Sequence, residues 1–158
     1  MKFTKLNRLA LVVLMLAVML FSLSISAFAS PESLPKNIES TSQSLVALKA
    51  PDAENLSTTN KVLPVSAMAP QGAVVTIYRY SAATDTYNKV YSGDSALEST
   101  VGATMLFASQ VELASGTNKL LVRSALDENT YQVVKFEATL LNEGFMDKIK
   151  SIAGMIFN

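Results

Sequence analysis

The 158-residue chain has no cysteine, no histidine and no tryptophan. Without Cys or His, the usual structural zinc sites, thiol nucleophiles and Ser-His-Asp arrangements cannot be built. The missing cysteine also removes disulfides and the residue that would carry lipid at a bacterial signal-peptide cleavage point. Charged residues are sparse, at 16%, with 13 basic and 13 acidic side chains. No basic cluster stands out, so the electrostatic footprint of a nucleic-acid binder is lacking.

What is present begins with a segment that does not belong to the fold. Lys2, Lys5 and Arg8 precede an almost unbroken apolar run from Leu9 to Phe21, and Ala27-Phe28-Ala29 closes it with small residues. Basic start, apolar run and A-x-A end together predict a secretory signal peptide over residues 1–29, cleaved near Ala29. An uncleaved anchor is the alternative reading of such a run. Cleavage would leave about 129 residues, with 10 basic against 13 acidic side chains and a net charge of about −3. That is enough chain for one domain with its own core and no disulfides.

Residues 30–42 are polar, with Pro31, Pro35 and several serines, and read as a disordered leader. From Ser44 onward the pattern is that of strands. Leu45–Leu48 is short and apolar and stops at Pro51-Asp52. Val62, Leu63, Val65 and Ala67 form a second strand, which Pro64 places at an edge or breaks. Ala69-Pro70-Gln71-Gly72 reads as a turn. Ala73–Tyr80 is the most β-prone stretch, with apolar groups on both faces, so it is either central or in contact with something on each side. Short strands follow at Tyr87–Ser92 and Leu97–Val101.

Val101–Ser124 reads as an antiparallel hairpin turning at Ser115-Gly116-Thr117-Asn118. Phe107, Val111 and Leu113 share one parity; after the turn, Leu120 and Val122 point inward while Lys119 and Arg123 point out. In the last strand Val134, Phe136, Ala138 and Leu140 alternate with Val133, Lys135, Glu137 and Thr139. About seven short strands, with turn signals at roughly 8–12-residue spacing, predict an all-β two-sheet sandwich over residues 43–141.

Three residue groups resemble the bacterial immunoglobulin-like domains of secreted and wall-associated Gram-positive proteins. They are Val65–Tyr78 with its Ala-Pro-Gln-Gly turn and Val-Thr-Ile-Tyr strand, Val101-Gly102-Ala103 with the apolar positions that follow, and the Gly116-Thr117-Asn118-Lys119-Leu120 corner. Met68 and Arg79 depart from the family pattern. The resemblance implies an Ig-like fold acting as a spacer or binding module, and supplies no catalytic residue.

Beyond Leu141 the period changes. Phe145, Met146, Ile149, Ile152 and Ile156 recur at helical spacing, so residues 142–158 are expected to form a short amphipathic helix. It is too short to span a bilayer and marginal alone in water. It therefore packs on the sandwich, lies on a membrane surface, binds a partner, or frays.

Tyr78, Tyr80, Tyr87 and Tyr91 form the candidate partner surface, since tyrosines on adjacent strands can make a platform for a protein or a sugar. The other reading is that these rings close the edge of the core. Asp85, Asp94, Asp127 and Glu128 sit in loops without calcium-ligand spacing and read as solvated turn residues. No cofactor, metal or catalytic residue is expected. The functional expectation is a non-catalytic extracellular or cell-envelope interaction module that binds protein or wall polymer. The alternative is a membrane-surface protein that uses the terminal helix as an interfacial foot.

Overall fold

The computed structural model describes residues 29–142, 144, 151, 152 and 155. The fold is all-β. Chain order gives β1 (Ser33–Pro35), β2 (Ala47–Ala50), β3 (Asn55–Thr58), β4 (Val62–Met68), β5 (Val74–Ser81) and β6 (Thr86–Lys89). The short strands β7 (Tyr91–Ser92), β8 (Ser95–Ala96) and β9 (Glu98–Thr100) follow. The long strands β10 (Leu106–Glu112), β11 (Gly116–Ala125) and β12 (Tyr131–Leu140) complete the set.

The larger sheet has the order β1-β6-β5-β11-β12-β3, with β9 also on β5. The smaller sheet is β10-β4-β2, and β7-β8 is a separate hairpin. Alternation explains why the two sheets pack face to face. Leu63, Val65, Ala67, Phe107 and Val111 of the small sheet meet Val75, Ile77, Leu120, Val122, Phe136 and Ala138 of the large one in a single buried cluster. Burying apolar area of this kind yields roughly 25 cal/mol per Å² and is the main force holding the layers together.

Pro64 sits in the central strand of the small sheet, not at an outer edge. Its cost is avoided locally, because β2 pairs only with Ser66, Ala67 and Met68. Pro64 opposes Gln110 across a pair flanked by hydrogen-bonded neighbours, so its nitrogen faces the side where β2 has ended.

Two further sequence expectations are corrected here. Val101–Ser124 is not a hairpin: β10 pairs with β4, and β11 pairs with β5 and β12, so the chain crosses between sheets at residues 113–116. Both strands bury one apolar face, and placed in opposite sheets they pack those faces into the same core cluster. Asn118, only 3% exposed, holds this crossover. Its Oδ1 accepts from Ala114 N at 2.9 Å, and its Nδ2 donates to the carbonyls of Ala114 at 2.8 Å and Gly116 at 3.0 Å. Gly116 takes φ +82°, a value that favours glycine.

The second correction concerns residues 30–42, which are folded against the large sheet and not disordered. Ser33–Pro35 pairs antiparallel with Thr86–Asn88, and Leu34 and Ile38 are buried. The segment is polar by composition, but its two large apolar residues meet an apolar outer face that nothing else covers. The helix expected over 142–158 falls almost wholly outside the described residues. Residues 144, 151, 152 and 155 have helical backbone, and no continuous helix is delineated among them.

Candidate functional site

The outer face of the large sheet is unusual for a sandwich because it is apolar. Register places Tyr78, Leu121 and Lys135 in one row across it, and Thr76, Arg123 and Val133 in the next. Tyr78, Tyr87 and Leu121 form a second buried cluster with Leu34 and Ile38, and Tyr80, Tyr131 and Val133 pack against it. The segment from Ser30 to Ser42 crosses this face as a strap.

Hydrogen bonds fix the strap at both ends. At its far end Ser40 and Thr41 accept through their hydroxyl oxygens from Val133 N and Tyr131 N, each at 3.0 Å. At its start Ser30 is 4% exposed, with its Oγ 2.7 Å from the buried Thr76 hydroxyl. Thr76 Oγ1 also lies 2.8 Å from Glu98 Oε2. Lys89 Nζ donates to Ser30 O at 2.8 Å and pairs with Glu32 at 3.1 Å and Glu98 at 3.4 Å. Burial works against the Lys89 charge, but the bond to Glu32 and the fields of Glu98 and Glu32 outweigh it and hold the ammonium above its ordinary value.

Tyr78 is fully buried and donates to Pro31 O at 2.8 Å. Burial pushes its phenol up to about 12. Since the folded value lies above the ordinary one near 10, the stabilising contribution is complete below that pH and is lost as pH rises toward 12. Tyr78 is therefore expected to ionise above the ordinary tyrosine range, with unfolding accelerating in the same alkaline window. A titration followed by tyrosine absorbance checks this; a folded protein whose tyrosines all ionise in the ordinary range would contradict it.

The four candidate tyrosines do not form one platform. Tyr78 and Tyr87 lie beneath the strap and Tyr80 is half-buried, its ring centroid 5.5 Å from that of Tyr87 in an edge-on arrangement. Tyr91 is 49% exposed on the β7-β8 hairpin, with its hydroxyl donating to Glu32 at 2.6 Å. The reason is steric: the face that alternation turned outward is roofed by the chain's own N-terminal segment. Arg123 is likewise on the outward parity but only 3% exposed, its guanidinium carbon 4.6 Å from the centre of the Tyr131 ring. Of the helix residues, Phe145, Met146, Ile149 and Ile156 lie outside the described residues, whereas Ile152 is 56% exposed.

Beside the middle of the strap, at Lys36, lies a cleft of about 330 Å³. Lys36, Lys119 and Lys135 line it together with Tyr80, Tyr87, Glu54 and Glu137. Lys36 Nζ stands 5.6 Å from the Tyr80 ring centre and pairs with Asp85 at 3.1 Å; Tyr80 also donates to Asp85. The bond to Asp85, then that to Tyr80, raises the Lys36 value, while the Tyr80 hydroxyl first and Lys36 second lower that of Asp85. Lys119 pairs with Glu137 at 3.4 Å. Lys135 differs: its ammonium lies 5.7 Å from the Tyr87 ring centre and donates to the Lys36 and Ile38 carbonyls at 3.1 and 3.0 Å. These are neutral acceptors.

A larger groove of about 580 Å³ lies at another place on the sandwich, bordered by Met68, Pro70, Met105 and Gln132. It has no charged lining residue. No group of three or more acids suited to a metal ion occurs among the described residues, so the loop acids Asp85, Asp94, Asp127 and Glu128 do not gather into one site. Asp127 instead accepts from Asn129 N and Thr130 N, each at 2.8 Å, and shapes its own turn.

Sequence reasoning missed the lysines of this cleft. Lys36 sat in a segment read as leader, and Lys135 in a strand read only for its inward side. One signal was present: Val74, Tyr78, Tyr80, Leu121 and Val133 put apolar groups on the outward parity of adjacent strands.

In comparison with known proteins, no family model, no curated protein and no solved structure matches the chain.

Proposed function

We propose that this chain is a secreted, non-catalytic Ig-like domain that acts at the cell envelope, holding an anionic linear ligand in the lysine–tyrosine cleft. The ligand is a wall polymer or an acidic segment of a protein. The observation that carries this reading is the pair of ammonium groups set beside the Tyr80 and Tyr87 rings, at 5.6 and 5.7 Å. An ammonium beside a tyrosine face presents charge next to a flat apolar surface, which suits a chain that alternates anionic and apolar groups.

Secretion is supported by the signal-like residues 1–29, which lie almost entirely outside the described residues, and by the burial pattern. Ala29 is exposed and Ser30 is buried, so the strap begins at the residue that cleavage after Ala29 would leave first. The Ig-like reading is supported by the Gly116-Thr117-Asn118 corner, where Asn118 bonds across a sheet-to-sheet crossover.

The test is a binding titration of the processed chain with polyglycerol phosphate and with an oligoglutamate peptide. Binding of one of them that weakens with salt, and about tenfold in a Lys36→Gln/Lys135→Gln double variant with an unchanged melt, is the expected result. Failure to bind either ligand, or equal binding by the variant, would reject the cleft.

The membrane-foot reading is kept as second because Ile152 and Met155 are 56% and 78% exposed. Vesicle flotation separates it: a processed chain that floats, while one ending at Leu141 does not, would favour the foot.

A further inference from the structure

Every open sheet has edges whose backbone groups invite another strand, and natural sequences protect them with proline, lysine, bulges or short length. Four of the edges here follow that rule. β2 carries Lys49, runs into Pro51 and has a register shift between Leu48 and Ala50. β1 and β9 have three residues each, with Pro35 in β1, and β3 has four. β10 is the exception. It is seven residues long, LFASQVE, pairs only with β4, and has no proline, lysine or bulge.

Register shows which backbone groups are open. Leu113 N donates to Lys61 O at 2.8 Å and Ala69 N to Met105 O at 3.0 Å, so odd-numbered residues turn their peptide groups toward β4. The N–H and C=O groups of Leu106, Ala108 and Gln110 therefore face away from the sheet. Glu112 belongs to the same series, and its carbonyl accepts from Arg79 Nη2. The side chains of Leu106, Ala108, Gln110 and Glu112 are exposed, Leu106 by 58%.

We infer that this edge is a self-association surface, with β10 of one copy pairing antiparallel to β10 of a second across a two-fold axis at Ser109. Face and hydrogen-bond parity restrict the register severely. The buried faces of both copies must lie on the same side, so odd residues oppose odd residues and even oppose even. Of the registers that remain, the one centred on Ser109 overlaps all seven residues. It places Leu106 opposite Glu112 and Ala108 opposite Gln110 as hydrogen-bonded pairs, with Phe107 opposite Val111 on the core side. No like charges meet, and each interface residue finds its partner on the other copy, as a two-fold contact requires. The two three-stranded sheets become one six-stranded sheet, which removes the unprotected edge.

The chain lacks cysteine, so a single introduced thiol reports on this geometry cleanly. Ser109 faces its own copy in the non-hydrogen-bonded position, where Cα atoms lie about 4.5 Å apart, within reach of a disulfide. The experiment is analytical ultracentrifugation of the processed chain over a wide concentration range, beside Ser109→Cys and Ala108→Lys/Gln110→Lys variants. The expected results are reversible association to twice the monomer mass and a disulfide dimer in Ser109→Cys that forms far faster than in an Asp94→Cys control. The double-lysine variant, which sets Lys against Lys in the paired register, should stay monomeric with an unchanged melt. A wild-type chain that is monomeric throughout overturns the inference, as does association that the double-lysine variant retains. If Ser109→Cys does not fold, the wild-type masses and the double-lysine variant decide the question.

Discussion

Phe107→Ala is expected to lower the free energy of unfolding by about 3–5 kcal/mol, the largest effect of any single side-chain truncation proposed for this protein. The ring is 4% exposed and belongs to the cluster that joins the two sheets, with Val65 and Ala67 of β4 on one side of the interface and Ile77, Leu120 and Phe136 on the other. Truncation removes the transfer energy of the ring and leaves a cavity between two rigid layers that cannot close over it, because each sheet is held by its own ladder. Domains of ordinary size are stable by only about 5–15 kcal/mol, so the variant would lose a large share of its margin. Urea unfolding with unchanged slope and a lower midpoint is the readout. A midpoint equal to that of the wild type would mean that the ring does not join the layers.

Asn118→Ala is expected to cost about 3 kcal/mol, through unsatisfied backbone groups and not through a cavity. The amide bonds Ala114 on both its N–H and C=O, and adds Gly116 O at 3.0 Å and Ala138 O at 3.3 Å. The Ala114 and Gly116 groups lie at the strand change between sheets, and Ala138 O lies on the neighbouring strand β12. Deleting the side chain orphans one donor and several carbonyls, and the partly buried ones recover water only in part. Asn118→Asp keeps the acceptor for Ala114 N but sets a carboxylate against three carbonyl oxygens, so it is expected to be no better tolerated. Thermal melts of the two variants check both statements; a melt unchanged in Asn118→Ala would show that the crossover needs no lock.

Both predictions rest on residues that the sequence singled out, yet the structure gave them different neighbours. Phe107, Val111 and Leu113 were legible as an inward row because a period of two is a local property of the chain. That β10 and β11 face each other across the core was not legible, because one alternation pattern serves a hairpin and a sheet-to-sheet crossover equally well. The turn-forming residues Ser115 and Gly116 fit both.

The candidate site was legible only in part. Tyr78, Tyr80 and Tyr87 lie on one face of the large sheet, Tyr91 lies on the separate β7-β8 hairpin, and the exposure of each depends on what lies over it. Composition made residues 30–42 read as disordered, since two apolar side chains, Leu34 and Ile38, contribute little to an average. They are held because a preformed apolar face receives them, and because Ser30, Ser40 and Thr41 find sheet groups to bond. The cleft lysines could not be found from sequence, as Lys36 and Lys135 are about one hundred residues apart and meet only through the strap's carbonyls.

The sequence alone determined the all-β class, the inward rows of the sandwich, and the exclusion of thiol and histidine chemistry and of the usual Cys/His zinc sites, since these follow from residue type and short-range period. Tertiary structure alone decided which strands pair, that the leader is a strap over the outer face, that Tyr78 and Arg123 are buried, and that β10 is an open edge. Each of those depends on contacts between residues far apart in the chain, and local alternation leaves such contacts free.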